Sequence, residues 1–541
     1  MNALLKQVSD LLTNTYLNNT IVTPIAIILF LVVVYSKIVN LRKTKLANRI
    51  PGPDGLFFVG MLPLLLEGPE KLLTNALKIF RDILYSTMVT NIYSSSVQYR
   101  YEKSLFKVWV LDNLYICLTK PEDVETVLTN SNLFKKSKEY KVVSESILGD
   151  GIFSNTNFDE WKKNRKLVAA GFKFSIVKSF IPIFNEEAKI LSELLYEKRD
   201  IDLNDCEISD AIGMATMEMI GRTALGVKFD AQKNANHVFI ENLHVVQKVW
   251  EYRFTHPWFL RTSLFHLSSF KRKHDVSQRK IYDFTKDLIE KKHAELKSNV
   301  NNQGEHNEES IGFKPKSLIE ILLENGHLMS FNQIRDEIIT VMFGGQDTTA
   351  MANACTIFML AHHQDIQNKV FEELWSILSS GDSDRQLSYD DLQSMDYLEC
   401  VIKETLRLFC IVPFLTKDIE KEVVIGDYSI PAGSTLAIFT AHLHLNPQIY
   451  PEPEKFNPDN FLPEASRNRH PYSFIPFSAG YRNCIGIKYA MLQMKTTIST
   501  LVRSYRFHPS DKCPKPENLR FMFAGTLKFV NGCYVKIEPR T

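Results

Sequence analysis

FSAGYRNCIG, residues 477–486, is the stretch from which the rest of the chain can be read. A lone cysteine is usually a small buried hydrophobe, and that reading suits Cys117, Cys206, Cys355, Cys400, Cys410, Cys513 and Cys533. Cys484 has different neighbours. Gly480 and Gly486 flank it and remove side chains where a flat ligand would need close backbone approach. Arg482 adds a permanent cation suited to carboxylates. Ile487, Met491, Met494, Ile498 and Leu501 recur at helical spacing, predicting a helix that begins just after the cysteine. Its N-terminal amides and positive dipole end would face the sulfur. Each feature lowers a thiol's pKa, and metal ligation would remove the proton outright.

A second unusual stretch is Gly344-Gly345-Gln346-Asp347-Thr348-Thr349. It lies inside an apolar helix that opens with a capping-box match at Ser330 and Gln333 and continues through Ile338, Met342, Ile357 and Leu360. Two glycines at ~1 kcal/mol each, with an Asp and two Thr at about half that, cost the helix roughly 3 kcal/mol. The run opens a groove and puts a carboxylate and hydroxyls into it. The bland alternative is a kink with Thr348 hydrogen-bonded back to its own helix. Further helical spacing covers residues 397–409, and β signals cluster in 422–439 around Ile430-Pro431-Ala432-Gly433. The fold class is mainly α with a minor β portion. Residues 297–310, KSNVNNQGEHNEES, read as a solvated surface loop.

The N-terminus is of another kind. Residues 21–39, IVTPIAIILFLVVVYSKIV, form a nineteen-residue apolar run with one charge, Lys37. At ~1.5 Å per residue it would span roughly 28 Å, enough for a hydrocarbon core. A cleaved signal peptide is disfavoured by the missing basic n-region and small-residue cleavage site. Lys37 lies at the end of the run and Arg42, Lys43, Lys45 and Arg49 follow it, whereas only Lys6 precedes it, so the bulk of the chain is expected on the cytoplasmic side. The expected division is a lumenal segment 1–20, a transmembrane anchor 21–39, a basic and proline-rich hinge 40–55 containing Pro51-Gly52-Pro53, and one large domain 56–541. A domain of roughly 490 residues exceeds the usual size, a tension that a large internal cofactor would resolve. The eight cysteines are spread singly, with no C-x-x-C pair, which argues against structural zinc and fits a reducing compartment. A net charge of +2 gives no reason to expect nucleic acid.

Residues 477–486 resemble the cysteine-ligand signature of the cytochrome P-450 superfamily, F-x-x-G-x-R-x-C-x-G, with Phe477, Gly480, Arg482, Cys484 and Gly486 at its fixed positions. The resemblance extends over nearly the whole chain. Trp161-Lys162-Lys163-Asn164-Arg165 is similar to the family's W-x-x-x-R helix, which hydrogen-bonds a haem propionate. Glu404-Thr405-Leu406-Arg407 is similar to its E-x-x-R motif, and residues 456–461 to the segment completing that network. The run from Gly344 resembles the oxygen-activating motif, in which Thr348 would hydrogen-bond the oxygen being activated and Asp347 would help relay protons inward. Within the superfamily the chain resembles family 4, the group including fatty-acid ω-hydroxylases and insect enzymes, and an arthropod source would suit it. Five positions depart from that group's pattern: Tyr481 for Pro, Asn164 for His, Asn460 for the third charged member of the E-R-R network, Lys417 for an Arg meeting a propionate, and Gly344 for Glu.

The resemblance implies a cytochrome P-450 fold and a haem-thiolate monooxygenase. Cys484 would be the axial ligand of haem b, and Trp161, Arg165, Lys417 and Arg482 would contact its propionates. With no carboxylate at Gly344, the haem should be held without a covalent bond. Dioxygen and NADPH-derived electrons would be co-substrates. No G-x-G-x-x-G fingerprint is present, so electrons would come from an NADPH-dependent flavoprotein reductase, with cytochrome b5 as a further candidate. Lys162, Lys163, Lys166 and Lys488 are candidates for its docking patch, or an ordinary solvated face. The remaining expectations are an apolar substrate (fatty acid, hydrocarbon, hormone or xenobiotic) and single-pass attachment to the endoplasmic reticulum bilayer. The competing readings are a haem-thiolate isomerase, dehydratase or decarbonylase, and a non-catalytic haem or lipid binder.

Overall fold

The computed structural model describes residues 41–51, 105–110, 113–199, 204–234, 237–256, 259, 262–302, 316–378, 385–516 and 519–540. The expected anchor 21–39, the segment 1–20 and Gly52-Pro53 lie outside them. Among the described residues no single helix is long and apolar enough to cross a membrane. The described helices of nine residues or more are α1 Pro121–Thr129, α2 Phe158–Gly171, α3 Ile181–Lys198, α4 Ser209–Ile220, α5 Val238–Thr255, α6 Ser269–Asn302, α7 Phe331–His362, α8 Gln364–Leu378, α9 Asp396–Leu408 and α10 Ile487–Ser504. The strands are β1 Leu105–Val110, β2 Asn113–Leu118, β3 Asp205–Glu207, β4 Phe414–Asp418, β5 Val423–Ile425, β6 Tyr428–Ile430, β7 Thr435–Phe439, β8 Tyr505–Pro509, β9 Phe521–Phe523, β10 Leu527–Phe529 and β11 Tyr534–Pro539. The expected fold class holds: mainly helical, with small sheets.

Local chemistry explains where the key helices begin. Asn157 caps α2 by accepting from the Asp159 and Glu160 amides, and Ser330 and Gln333 form a reciprocal capping box on α7. Such caps contribute about 1 kcal/mol each. Gln333 also donates to Glu160 at 2.6 Å, so the start of α7 is tied to the start of α2. α7 is almost wholly buried from Ile334 to Ala361, and its apolar side chains join the main core with α3, α4, α9 and α10. A second core forms between α1 and the sheet ordered β1-β2-β7-β4, in which β2 and β7 run parallel and the outer pairs antiparallel.

Two expectations need correction. The strands either side of Ile430-Pro431-Ala432-Gly433 do not pair with each other. β6 pairs with β5 across Gly426, whereas β7 pairs with β2 and β4 in the larger sheet. The polar stretch 297–310 is not a loop at its start, because α6 continues to Asn302. Nothing in that sequence breaks a helix before Gly304. At the N-terminal side, part of the expected hinge is ordered: Leu41–Ala47 is helical, Arg42 pairs with Glu422, and Lys43 donates to the Gly433 carbonyl.

Candidate functional site

The loop before α10 is bent by two residues with positive φ, Ser478 (58°) and Gly480 (67°). The Cys484 amide donates back to Phe477 at 2.8 Å, closing the loop, and half-buried Phe477 packs against the main core. A Cβ on Gly480 would lie 2.1 Å from the Leu128 carbonyl. The close approach that requires this glycine is therefore to the end of α1, not to a flat ligand. Gly486 meets only ordinary contacts, Phe172 at 3.6 Å and the Cys484 sulfur at 3.9 Å. The other seven cysteines are buried, but Cys484 keeps exposed surface although protein surrounds it on nearly every side. Burial pushes its thiol up, against the opposing pull of the Gly486 amide and Arg165. The amide at the start of α10 and a nearby arginine do pull the thiol down, but burial outweighs them. A cation on the sulfur would be needed to remove the proton.

Around this cysteine lies a group of cations without anions. Arg165 donates to the carbonyl and side chain of Asn483, next to Cys484, at 2.8 and 2.6 Å. Arg482 donates to the carbonyls of Ile152 (3.0 Å) and Asn155, and its guanidinium lies over Phe134 and Trp161. Lys417 is buried and reaches the Val127 carbonyl at 3.2 Å. A β-bridge between Lys136 and Lys417 sets a further lysine beside it. None of these four is ion-paired to a carboxylate among the described residues. Burial, then Arg482, pushes Lys417 down to about 8, while burial followed by Arg482 and Lys417 holds Lys136 well below the lysine range. Burial pushes Arg482 down to about 9. Among the described residues the buried Trp161 indole N–H and the Arg482 Nε have no partner. Unpaired buried charge and orphaned donors are costly, and an anionic ligand would relieve both. Haem propionates fit that need, and the surface-bearing sulfur of Cys484 fits the iron.

Within the stretch Ile334–Ala361 of α7, Gly344 is exposed, and a Cβ there would meet nothing within 4 Å. Gly345 differs, since its Cβ would lie 2.8 Å from Ile220 on α4. One glycine leaves open space and the other lets two helices touch. The helix runs unbroken through the motif, and Thr348 donates to the Gly344 carbonyl at 2.8 Å, the back-bonded alternative of the sequence reading, without the kink. Asp347 is 2% exposed and has no contact with Thr348's hydroxyl; it accepts from Gln247 (3.1 Å), Thr526 (2.5 Å) and Lys528.

The E-x-x-R pair is not a surface bridge. Glu404 and Arg407 are both 0% exposed and form a two-pronged ion pair at 2.7 Å. Arg407 continues to the carbonyls of His444, Pro453 and Lys455, while Glu404 accepts from the Asn457 amide (2.8 Å) and Asn460 side chain (3.2 Å). Asn460 therefore takes up the position of the missing third charge as a neutral donor. Lys162, Lys163, Lys166 and Lys488 are all exposed. Sequence reasoning missed Lys136, which the β-bridge to Lys417 brings to the site with its ammonium over Tyr140 and Phe153, and Lys528, which lies in no motif.

A mainly helical fold with one surface-bearing cysteine and a nearby group of unpaired cations fits the class of haem-thiolate proteins. Comparison with known proteins narrows this. The family model described as cytochrome P450 matches residues 74–528. Cytochrome P450 4c3 of Drosophila melanogaster is 31% identical over 95% of this chain and 93% of its own length. Cytochrome P450 4c21 of Blattella germanica is 31% identical over 92% and 94%, and cytochrome P450 4V2 of Homo sapiens is 33% identical over 81% and 82%. The chain belongs to the cytochrome P450 family, and its activity is that of a cytochrome P450 monooxygenase, which requires a haem, dioxygen and an outside source of reducing equivalents.

Proposed function

We propose that this enzyme inserts one atom of dioxygen into an apolar substrate, with electrons passed from NADPH by a flavoprotein reductase and haem b held on Cys484 without a covalent link. The observation that carries the reading is exposed Cys484 beside cations that have no carboxylate partner among the described residues. When bound, the haem supplies the iron at which dioxygen is activated. Cys484 would hold the iron as thiolate, a ligand whose electron density favours O–O cleavage. Trp161, Arg165, Arg482 and Lys417, joined by Lys136, hold the propionates. Phe477, Gly480 and Gly486 shape the loop that presents the sulfur. Gly344 leaves open space beside the helix, and Thr348 would turn its hydroxyl from the Gly344 carbonyl into that space to hydrogen-bond oxygen. Asp347 relays protons toward it. Glu404 and Arg407 lock α9 to residues 453–460, a rigid frame behind the loop.

Residues 21–39 act as a single-pass anchor in the endoplasmic reticulum membrane, with 1–20 lumenal and the catalytic domain, 56–541, facing the cytoplasm; the apolar run and its basic flank support this. The exposed Lys162, Lys163, Lys166 and Lys488 suit an acidic reductase or cytochrome b5. The test is reconstitution with reductase and NADPH. Candidate fatty acids, hydrocarbons, hormones and xenobiotics are first screened by the haem's spin-state absorbance shift. NADPH consumption with one labelled oxygen per product is the expected result; product formed without NADPH would favour an isomerase or dehydratase instead.

A further inference from the structure

Asp347 is gripped by side chains from two separate elements, α5 and the β9–β10 hairpin. Gln247 reaches its Oδ1 from α5, and Lys528 reaches the same oxygen from the β9–β10 hairpin, while Thr526 takes Oδ2. Lys528 is its one ion-pair partner among the described residues. The hairpin is slight: two three-residue strands around Gly525 (φ 91°), held by rings and a few bonds. Phe521 packs on Phe409, and Phe523 on Phe414 and on Phe254 of α5. The Leu527 amide donates to Ile411. α5 and the hairpin thus touch each other and the same carboxylate. Burial pushes Lys528 down to about 8. His244 of α5 lies within electrostatic range of Lys528, Lys248 and Asp210.

We propose that Lys528 is a positioning residue for oxygen activation: it keeps both Asp347 oxygens engaged away from Thr348, so that proton relay requires the C-terminal hairpin to shift. This rests on the functional reading above, in which α7 carries the relay. The productive balance is RH + O2 + NADPH + H+ → ROH + H2O + NADP+, and the leak is O2 + NADPH + H+ → H2O2 + NADP+. A gate on Asp347 controls the leak when no substrate is present to move the hairpin.

The test uses the haem-loaded, full-length enzyme with reductase and NADPH but no substrate. Lys528→Met should raise peroxide formation about fivefold or more, and Lys528→Arg should restore it to near the parent rate. Independently of turnover, amide hydrogen exchange over residues 521–529 should quicken about tenfold in Lys528→Met and in Asp347→Asn, with the double variant no faster than either, because all three lose the same contact. Unchanged exchange in Lys528→Met overturns the contact. Faster exchange with a parental peroxide rate reduces Lys528 to a structural tie and also overturns the proposal. If Lys528→Met does not hold haem, Lys528→Gln, which also removes the charge, takes its place in both readouts. A parent without a thiolate-type carbon-monoxide spectrum would instead sink the functional reading, and the exchange data would still judge the contact.

Discussion

Thr348 has a single hydroxyl proton, and it is committed to the Gly344 carbonyl. In that rotamer the hydroxyl can accept but not donate, so a catalytic role requires a small rotation rather than a rebuilt site. Thr348→Ala should bind haem and consume NADPH normally, yet lose most product to peroxide; an unchanged ratio of product to NADPH would remove Thr348 from the mechanism. Glu337, one residue before the apolar run on the same helix, is fully buried, with the Ile152 amide 2.9 Å from one oxygen. Burial, more than the opposing Ile152 and Asn164 contacts, pushes its carboxyl up to about 8 from an ordinary 4.5. A raised carboxyl costs nothing below pH 4.5, and the cost of ionising it grows as pH climbs toward 8. Glu337→Gln should therefore leave the melting temperature unchanged near pH 4.5 and raise it by several degrees at pH 8. Cys484, Thr348 and Glu404 could be singled out from the sequence because each breaks a local rule or repeats a spaced pattern. Lys136 could not, because only the β-bridge to Lys417 brings it to the site.

At the scale of the element, the two adjacent glycines of α7 make opposite claims. Gly344 faces open space, so Gly344→Ala should gain about 0.5–1 kcal/mol of helix stability. Gly345→Ala must displace Ile220 and should cost about 1–2 kcal/mol. Thermal unfolding of the haem-loaded variants separates them; equal shifts would mean that α4 and α7 do not meet as described. Helix periodicity was readable for α7, α9 and α10 because their apolar faces repeat regularly, and the cap was readable for α7 alone. The strands were less so: residues 423–439 carry β-branched residues throughout, and which sheet each joins depends on partners three hundred residues away, such as β2. A polar composition misled at 297–302, where charge and amide side chains suit an exposed helix as well as a loop.

For the whole molecule, the balance is between a cofactor that fills space and a protein that is costly without it. Cations lacking anions, an orphaned indole N–H and a thiol raised by burial all become favourable once an anionic, iron-bearing ring is bound. Gly344 offers no carboxylate for an ester to the macrocycle, so acid and organic solvent should extract intact haem completely, and a polypeptide mass including haem after denaturation would refute this. The most direct test of the central claim is the absorbance of the ferrous carbon-monoxide complex. The parent should show the red-shifted Soret band of thiolate ligation and Cys484→Ala should lose it. Persistence of that band in Cys484→Ala would contradict the assignment.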